Sequence, residues 1–523
     1  MTRTLEEVGR GLAPDRPARL VPTGERIHIL GGGGAGASEA ALLAAYAGAS
    51  VTACDAGGPS PYTAAAEALG IPFSWAHSPA HVVDTAGRPI VDRLSVTKSL
   101  TSVDPDHPEL RAATAAGIAV EAWQQVVADV ALTAGQRLLA VTGTHGKSTT
   151  SGWVTHLLVG AGRDPSAAIG ALLPVDLSGS PAATARWGRG SWMVVEADEY
   201  ADNFAPYHPA VAVILNAEWD HPDVFADRAA VVDMLVTWVR ASPTPPLVVV
   251  NLGDPGGREV AARLADLGGR LRPFALLGPD GPAAGDLPAG TVTGWIASAG
   301  PEGDRLAISG LPGGDIMADV HLPGRQYAAD ALAAATAGAA ADLAPAQIAA
   351  GLASFRGVGR RLELKGEPRG IAVLDDYGHH PTAIRGTLAA VRQRYPGRRV
   401  WAVYEPLTFH RTAAMLDAFA EVLATADRAV IADIWANRDP DRTTTSAQAL
   451  ADATSARASG WQATAPGSPE ATADHLAARV EPGDVVLVMG GGRSYVIAER
   501  LTELLSRAPG ARELREGREA PGR

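Results

Sequence analysis

The chain has 523 residues, 46% apolar and 20% charged, with a net charge of −12 at neutral pH. At about 100–200 residues per domain this length predicts three domains, and the apolar content excludes a disordered chain. The acidic balance argues against a nucleic-acid partner, which requires a basic surface, and the absence of any run of about 18 apolar residues predicts no membrane span. The single cysteine, Cys54, excludes an intramolecular disulfide and predicts no cysteine-based zinc site within one chain. Met1 to Leu20 is mixed and charged without an apolar stretch, so no signal peptide is expected and the location predicted is cytoplasmic.

Arg26 to Leu30 reads as a buried strand, followed by a glycine cluster and an Ala/Leu helix, then a second strand from Ser50 to Asp55. Gly31, Gly33 and Gly36 fit G-x-G-x-x-G, and Asp55 ends the second strand. Glycines at such a turn let the backbone approach a diphosphate, and the helix N-terminus stabilises its charge. The motif leaves open whether the ligand is NAD or another nucleotide diphosphate.

A second unit opens with the strand Gln136 to Val141 and the loop Thr142-Gly143-Thr144-His145-Gly146-Lys147-Ser148-Thr149-Thr150. Its backbone amides can cradle phosphates, Lys147 can reach the outer phosphates, and the Ser148 hydroxyl can bind Mg²⁺. The loop is shorter than the usual P-loop, with Val141 in the place of the first glycine. Strands predicted at Ser191 to Val195 and Ala210 to Leu215 run into Glu196-Ala197-Asp198-Glu199 and Asn216-Ala217-Glu218-Trp219-Asp220-His221. Acids and an imidazole at strand ends beside such a loop can hold one or two magnesium ions. A further strand is expected at Leu247 to Asn251, an antiparallel insert or long loop near 278–314, and an Ala-rich helix from Gln326 to Ala341.

A third α/β region begins near Phe355, with strands at Ile371 to Leu374, Val400 to Tyr404, Ala429 to Ala432 and Val485 to Met489. It carries Gly359-Arg360-Arg361, then Asp375-Asp376-Tyr377-Gly378-His379-His380-Pro381, and Arg411 beyond a strand end. Two acids followed by two histidines suit either a metal site or a solvated turn. The charged tail from about 508 is expected to fray.

In this order, the motifs resemble those of the Mur ligases, from Ile27 to about Gly492. The resemblance implies an α/β protein of three domains. The first, residues 1–125, is Rossmann-like and binds a UDP-sugar, which places UDP rather than NAD at Gly31, Gly33, Gly34, Gly36, Ser38 and Asp55. The second, residues 126–355, is a P-loop ATPase, and the third, residues 356–523, is a Rossmann-like domain that closes over the nucleotide and the incoming amine. Gly143, Thr144, His145, Gly146, Lys147, Ser148 and Thr149 are then ATP-binding, with Asp376 and one of Arg360 and Arg361. Ser148, Glu196 and His221 match magnesium positions, with Glu199 assisting, and Lys147, His379, Tyr377 and Arg411 match the catalytic set.

The implied reaction joins L-alanine to UDP-N-acetylmuramate through an acyl phosphate, with ATP and Mg²⁺, in a monomer or homodimer. Three segments depart from the family pattern. Thr408 replaces an arginine linked to the amino-acid carboxylate. Gly324-Arg325-Gln326-Tyr327-Ala328-Ala329-Asp330 replaces the adenine-binding stretch, leaving Gln326, Tyr327 or Asp330 for that task. Glu121-Ala122-Trp123 replaces a segment that often carries arginine. Three other readings stay in play: a murein-tripeptide recycling ligase, towards which Pro381-Thr382-Ala383-Ile384-Arg385 and Trp401-Ala402-Val403-Tyr404-Glu405-Pro406 lean, a nucleotide-binding pseudoenzyme, which the departures motivate, and an NAD oxidoreductase resting on Gly31–Gly36 alone.

Overall fold

The computed structural model describes residues 2–436, 439 and 441–507; the tail expected to fray lies outside them. Three sheets are distributed over two compact units. The first unit holds Met1–Ser298, Asp304–His321 and Tyr327–Gly359, and the second holds Ala299–Gly303, Leu322–Gln326 and the chain from Arg360 onward.

In the first unit, a five-stranded sheet is built in the order Phe73–Ser74, Ser50–Cys54, Arg26–Leu30, Arg93–Val96, Ala119–Ala122. Every pairing is parallel. The order reverses at the central strand Arg26–Leu30, so the crevice above its C-terminal end, where the glycine cluster sits, is where ligands bind in such sheets. The following helix, Ala35–Tyr46, is buried from Ala37 to Ala44. A helix apolar on all sides must be covered on all sides, and this one packs both on its own sheet and on the strands Ser166–Leu173 and Ala183–Arg186 of the next. One apolar core therefore runs through both sheets, from Ile27 and Ile29 to Val195 and Ile214. The domain boundary expected at 125 falls inside the helix Trp123–Thr133.

The second sheet has ten strands. Its central strand Arg137–Thr142 lies between Val211–Ile214 and Trp192–Glu196, parallel to both. Thr142 is level with Ile214, and Val141 with Glu196. Because neighbouring parallel strands end together, the loop after Thr142, the acids after Val195 and the segment after Ile214 leave the sheet at one edge. The glycine-rich stretch expected near 278–314 supplies strands Val292–Gly300 and Gly303–Ser309, the second of which pairs antiparallel with Ile316–Val320 just beyond it. The strands Ser166–Leu173 and Ala183–Arg186 were not anticipated; Ala and Gly dominate the first, which hides the β-branched signal of a strand.

The second unit contains a six-stranded sheet in the order Glu363–Gly366, Ala372–Asp376, Val485–Met489, Val400–Tyr404, Arg428–Ala432, Thr464–Gly467. The first pairing is antiparallel and the others are parallel. Its core joins Ile371, Val373, Val403, Val486 and Val488 to Ile497 and Leu501 of the last described helix, Ser494–Arg507. Among the described residues no helix is long and apolar enough to cross a membrane.

Candidate active site

The loop after Thr142 turns on two glycines with positive φ, Gly143 at 137° and Gly146 at 85°. A β-carbon on Gly146 would stand 2.5 Å from Asp330 Oδ1, and one on Gly143 would stand 3.0 Å from the Asn216 amide. Gly146 caps the helix Lys147–Gly160 without a side-chain bond. The first-turn amides of that helix have no intrahelical acceptor and carry the positive end of its dipole.

Lys147 Nζ donates to Gly143 O at 2.7 Å and to Glu199 Oε2 at 2.8 Å, and lies 4.0 Å from Asp198 Oδ1. The ammonium therefore folds back over the loop. Burial acts to lower the Lys147 pKa, but Glu199, Asp198 and Glu196 outweigh it and raise it. Burial pushes the Glu199 carboxyl up to about 7 against the pull of Lys147. Burial acts upward on Asp198 too, but Lys147 and His221 hold it below the usual range.

Asp198, Glu199 and His221 form a group whose ligand atoms lie within 4.8 Å of one another. Glu199 Oε1 is buried with no hydrogen-bond partner among the described residues, 3.9 Å from His221 Nε2. An orphaned carboxylate oxygen beside a second carboxylate and an imidazole is a donor set that fits Mg²⁺. Glu196, expected among the ligands, stands outside this group. Its Oε2 accepts the Gly170 amide at 2.9 Å, and Glu199, expected only to assist, takes the position beside His221. Ser148 and Thr149 are buried in the first helical turn.

His145 is fixed from several sides. Its amide donates to Asn216 Oδ1 at 3.1 Å, its carbonyl accepts Asn216 Nδ2 at 3.0 Å, and its Nε2 lies 2.8 Å from Glu218 Oε1. Thr144 Oγ1 donates to Glu218 O and accepts the Glu218 amide. The segment 216–218 thus buttresses the loop. Asp254, which the sequence reading passed over, holds that segment by accepting the amides of Ala217 and Gly257. Asp254-Pro255-Gly256-Gly257 opening a helix was the available signal. Of the three residues expected at adenine, Asp330 lies beside Gly146, Tyr327 is buried, and Gln326 Nε2 donates to Thr387 Oγ1 at 3.3 Å.

At the first glycine cluster, Gly31 has φ 82°. Asp55 Oδ2 accepts the Gly33 amide at 2.9 Å and Oδ1 accepts the Gly57 amide at 2.7 Å. Ser60 Oγ donates to Gly33 O. Gly34 caps the helix Ala35–Tyr46, and Gly36 lies where a β-carbon would stand 2.3 Å from the Trp123 ring. Ser38, expected at the UDP-sugar, is instead fully buried and donates to Tyr62 O at 2.6 Å, so its hydroxyl serves the fold. Glu121 in the departing segment is held by Arg16 at 2.7 Å and Arg93 at 2.9 Å.

In the second unit, Arg360 is buried. It pairs with Asp375 at 3.1 Å and donates to Gly490 O and Ser494 Oγ. Arg361 is half-buried, 4.6 Å over the Tyr377 ring. Asp376 accepts the amides of Leu362 and Gly378, and burial raises its pKa. His379 Nδ1 lies 2.9 Å from Tyr377 O, and the two rings meet edge-on at 5.3 Å. A carbonyl can only accept, so Nδ1 carries the proton and the Nε2 lone pair is the basic one. Thr408 caps the helix Phe409–Ala414 by accepting the Arg411 amide at 3.4 Å, and Arg411 is buried behind it.

A glycine loop, its lysine and a triad of acids and imidazole on one edge of a mostly parallel sheet define a phosphate-handling α/β protein. Residues 26–134 match the Mur ligase catalytic domain, 141–338 the Mur ligase middle domain and 360–492 the Mur ligase glutamate ligase domain. The UDP-N-acetylmuramate–L-alanine ligase of Frankia casuarinae is 36% identical over 513 residues, covering 92% of this chain and 99% of the relative. That of Streptomyces coelicolor is 33% identical, covering 95% and 100%. Among solved structures, the UDP-N-acetylmuramate–alanine ligase of Thermotoga maritima superposes with a TM-score of 0.72 at 23% identity, covering 91% of this chain and 98% of its own. A murein peptide ligase of Psychrobacter arcticus gives 0.68 at 23%, covering 92% and 99%. The chain belongs to the Mur ligase family.

Proposed function

We infer that this chain joins L-alanine to UDP-N-acetylmuramate at the expense of ATP, in the cytoplasm, as a step of peptidoglycan precursor synthesis. The observation that carries the reading is Lys147 folded over its own loop and bonded to Glu199, with Asp198 and His221 alongside. The named activity of the full-length relatives supports the choice of substrates.

The chemistry follows from charge. A carboxylate is a poor acyl donor because oxide is a poor leaving group. Phosphorylation by the γ-phosphate of ATP turns that oxygen into phosphate, and an amine then displaces it. Two anions must approach for the first step, and Lys147 with the helix amides neutralises part of that charge. Asp198, Glu199 and His221 would hold Mg²⁺, which supplies the rest of the neutralisation when bound, with Ser148 and Glu196 adjoining. Gly143 to Thr149 are assigned to ATP, together with Asp376 and Arg361, since Arg360 is committed to Asp375. Gly31, Gly33, Gly34, Gly36 and Asp55 are assigned to the UDP-sugar. His379 is the base that takes the amine proton on Nε2, beside Tyr377, and Arg411 is the partner of the amino-acid carboxylate. With Thr408 serving as a helix cap, Arg411 is the arginine that remains there for a bidentate pair.

The test is ADP release by the full chain with UDP-N-acetylmuramate, Mg²⁺ and a panel of amines. Alanine-dependent ADP formation is expected. ADP formation with a murein tripeptide and not with alanine would replace this reading by a recycling ligase. Absence of ADP with every amine would leave a nucleotide-binding protein without turnover.

A further inference from the structure

Beneath the first glycine cluster, on the face of the five-stranded sheet that packs against the helix Pro108–Ala115, lies a second group of metal-ligating side chains. His28 comes from the central strand and Cys54 from the end of its neighbour. His81 closes a short turn of helix, and Glu109 opens the helix Pro108–Ala115. One ligand atom from each lies within 4.8 Å of all the others. His28, Cys54 and Glu109 are buried to within 1% of full burial. None of the four has a part in the ligase chemistry.

The spacing is close to that of a coordination shell. Zinc bonds of about 2.0–2.3 Å arranged tetrahedrally set ligand atoms roughly 3.3–3.6 Å apart. His28 Nε2 is 3.3 Å from Cys54 Sγ and 3.5 Å from Glu109 Oε2. Cys54 Sγ is 3.5 Å from each Glu109 oxygen; His28 faces Oε2 and His81 Nδ1 is 3.0 Å from Oε1, so the carboxylate bridges the two histidines, and His77 Nδ1 is a further neighbour of Sγ at 3.3 Å. His28 is also oriented for the task. Its Nδ1 is hydrogen-bonded to Thr52 Oγ1 at 2.8 Å, which turns Nε2 inward, as ligating histidines are commonly arranged.

The charges agree. A thiolate, a carboxylate and two neutral imidazoles around a divalent cation sum to zero, which is what a buried site can tolerate.

We propose that His28, Cys54, His81 and Glu109 form a structural site for zinc, with imidazole, thiolate and carboxylate as its ligands. Four protein ligands close the coordination sphere, which marks a structural site rather than a catalytic one. The mixed donor set selects a borderline metal over Mg²⁺ or Ca²⁺. Its mechanical consequence is local. Cys54 O accepts the amides of Gly31 and Gly32 at 2.9 and 3.0 Å, so a metal that fixes Cys54 also fixes the start of the glycine cluster. Counting cysteines predicted no such site; the histidines that complete it are distant in sequence and gathered only by the fold.

The test uses the full chain, stripped with a chelator and then titrated with ZnCl₂ or CoCl₂. About one equivalent of zinc should bind tightly and raise Tm, as expected when metal binding is coupled to folding. Cobalt should give a thiolate-to-cobalt charge-transfer band. Cys54 is the single cysteine of the chain, so that band reports this site and not Asp198, Glu199 and His221. Cys54→Ser should abolish the band and the Tm rise, and His28→Gln should weaken binding at least about tenfold. A stripped wild-type chain that takes up no zinc would leave a closed hydrogen-bond network and overturn the proposal. So would zinc uptake without the cobalt band, or uptake unchanged in Cys54→Ser.

Discussion

The two glycine loops differ in what fills them. At Gly31–Gly36 the chain itself occupies the space that glycine leaves. Asp55 takes the Gly33 amide, Ser60 takes the Gly33 carbonyl, and the Trp123 ring presses on Gly36. At Gly143–Gly146 the glycines admit Asn216 and Asp330, and the Lys147 ammonium, held by Gly143 O and Glu199, folds over the loop. The lesson is that the same sequence signal can have two physical origins. In the first loop, close packing of strand, helix and neighbouring helix accounts for much of the glycine; in the second, positive φ at Gly143 and Gly146 does, in a turn that the proposed function gives to a phosphate chain.

The comparison would be broken most sharply at Lys147. Lys147→Ala should cut kcat about 10²–10³-fold, comparable to removing one well-placed electrostatic stabiliser, while changing Tm little, because Glu199 can take up a proton when its ammonium is lost. ADP release and thermal melting on the same sample check this. A large fall in Tm at full activity would show that the lysine serves the fold, as the residues of the first loop do.

The next effect joins the two loops. Glu39, in the helix after the first, is buried with Oε2 unpartnered among the described residues, and burial followed by the nearness of Glu196 pushes its pKa well above the ordinary value. The folded form therefore binds more protons than the unfolded one. Its contribution to stability is full below the ordinary glutamate range and is lost as pH rises through the folded pKa, by up to about 1.4 kcal/mol per pH unit. Glu39→Gln should remove that slope, so that the substituted chain gains on the wild type in denaturant melts as pH rises above the ordinary glutamate range. Equal slopes for the two chains would mean that Glu39 is ionised in the folded state.

These contrasts also mark what could be read in the sequence. Strand-loop-helix punctuation placed both loops, and the central strands of all three sheets fell where apolar runs ended in glycine or acid, as at Arg26–Leu30, Leu247–Asn251, Val400–Tyr404 and Val485–Met489. The acids after Val195 and the segment after Ile214 were recognisable as site material because parallel strands end together. What was not legible depends on side-chain direction. That Glu199 rather than Glu196 turns towards His221 is decided by the Gly170 amide, which captures Glu196. That Ser38 faces inward is decided by Tyr62 O. Burial of Arg360 on Asp375 separates it from Arg361, although the two are adjacent in sequence. The histidines around Cys54 were invisible for the same reason, since their spacing along the chain follows no metal motif.

The smallest effect is the one that sharpens the comparison at its root. Gly36→Ala places a methyl 2.3 Å from Cζ2 and 2.8 Å from Cη2 of Trp123, well inside contact distance. The ring belongs to the helix Trp123–Thr133, which packs against the helix Ala35–Tyr46, so it cannot swing aside as a flexible chain end would. Overpacking of this kind costs about 1–3 kcal/mol. If the glycine is there for packing, Gly36→Ala should lower Tm, and trimming the ring with Trp123→Leu in the same chain should restore much of the loss, giving a coupling that neither single change shows. If it is there for the diphosphate alone, Tm should hold, KM for the UDP-sugar should rise, and Trp123→Leu should rescue nothing. Chemical melts and a KM determination on the two single variants and the double variant separate these outcomes.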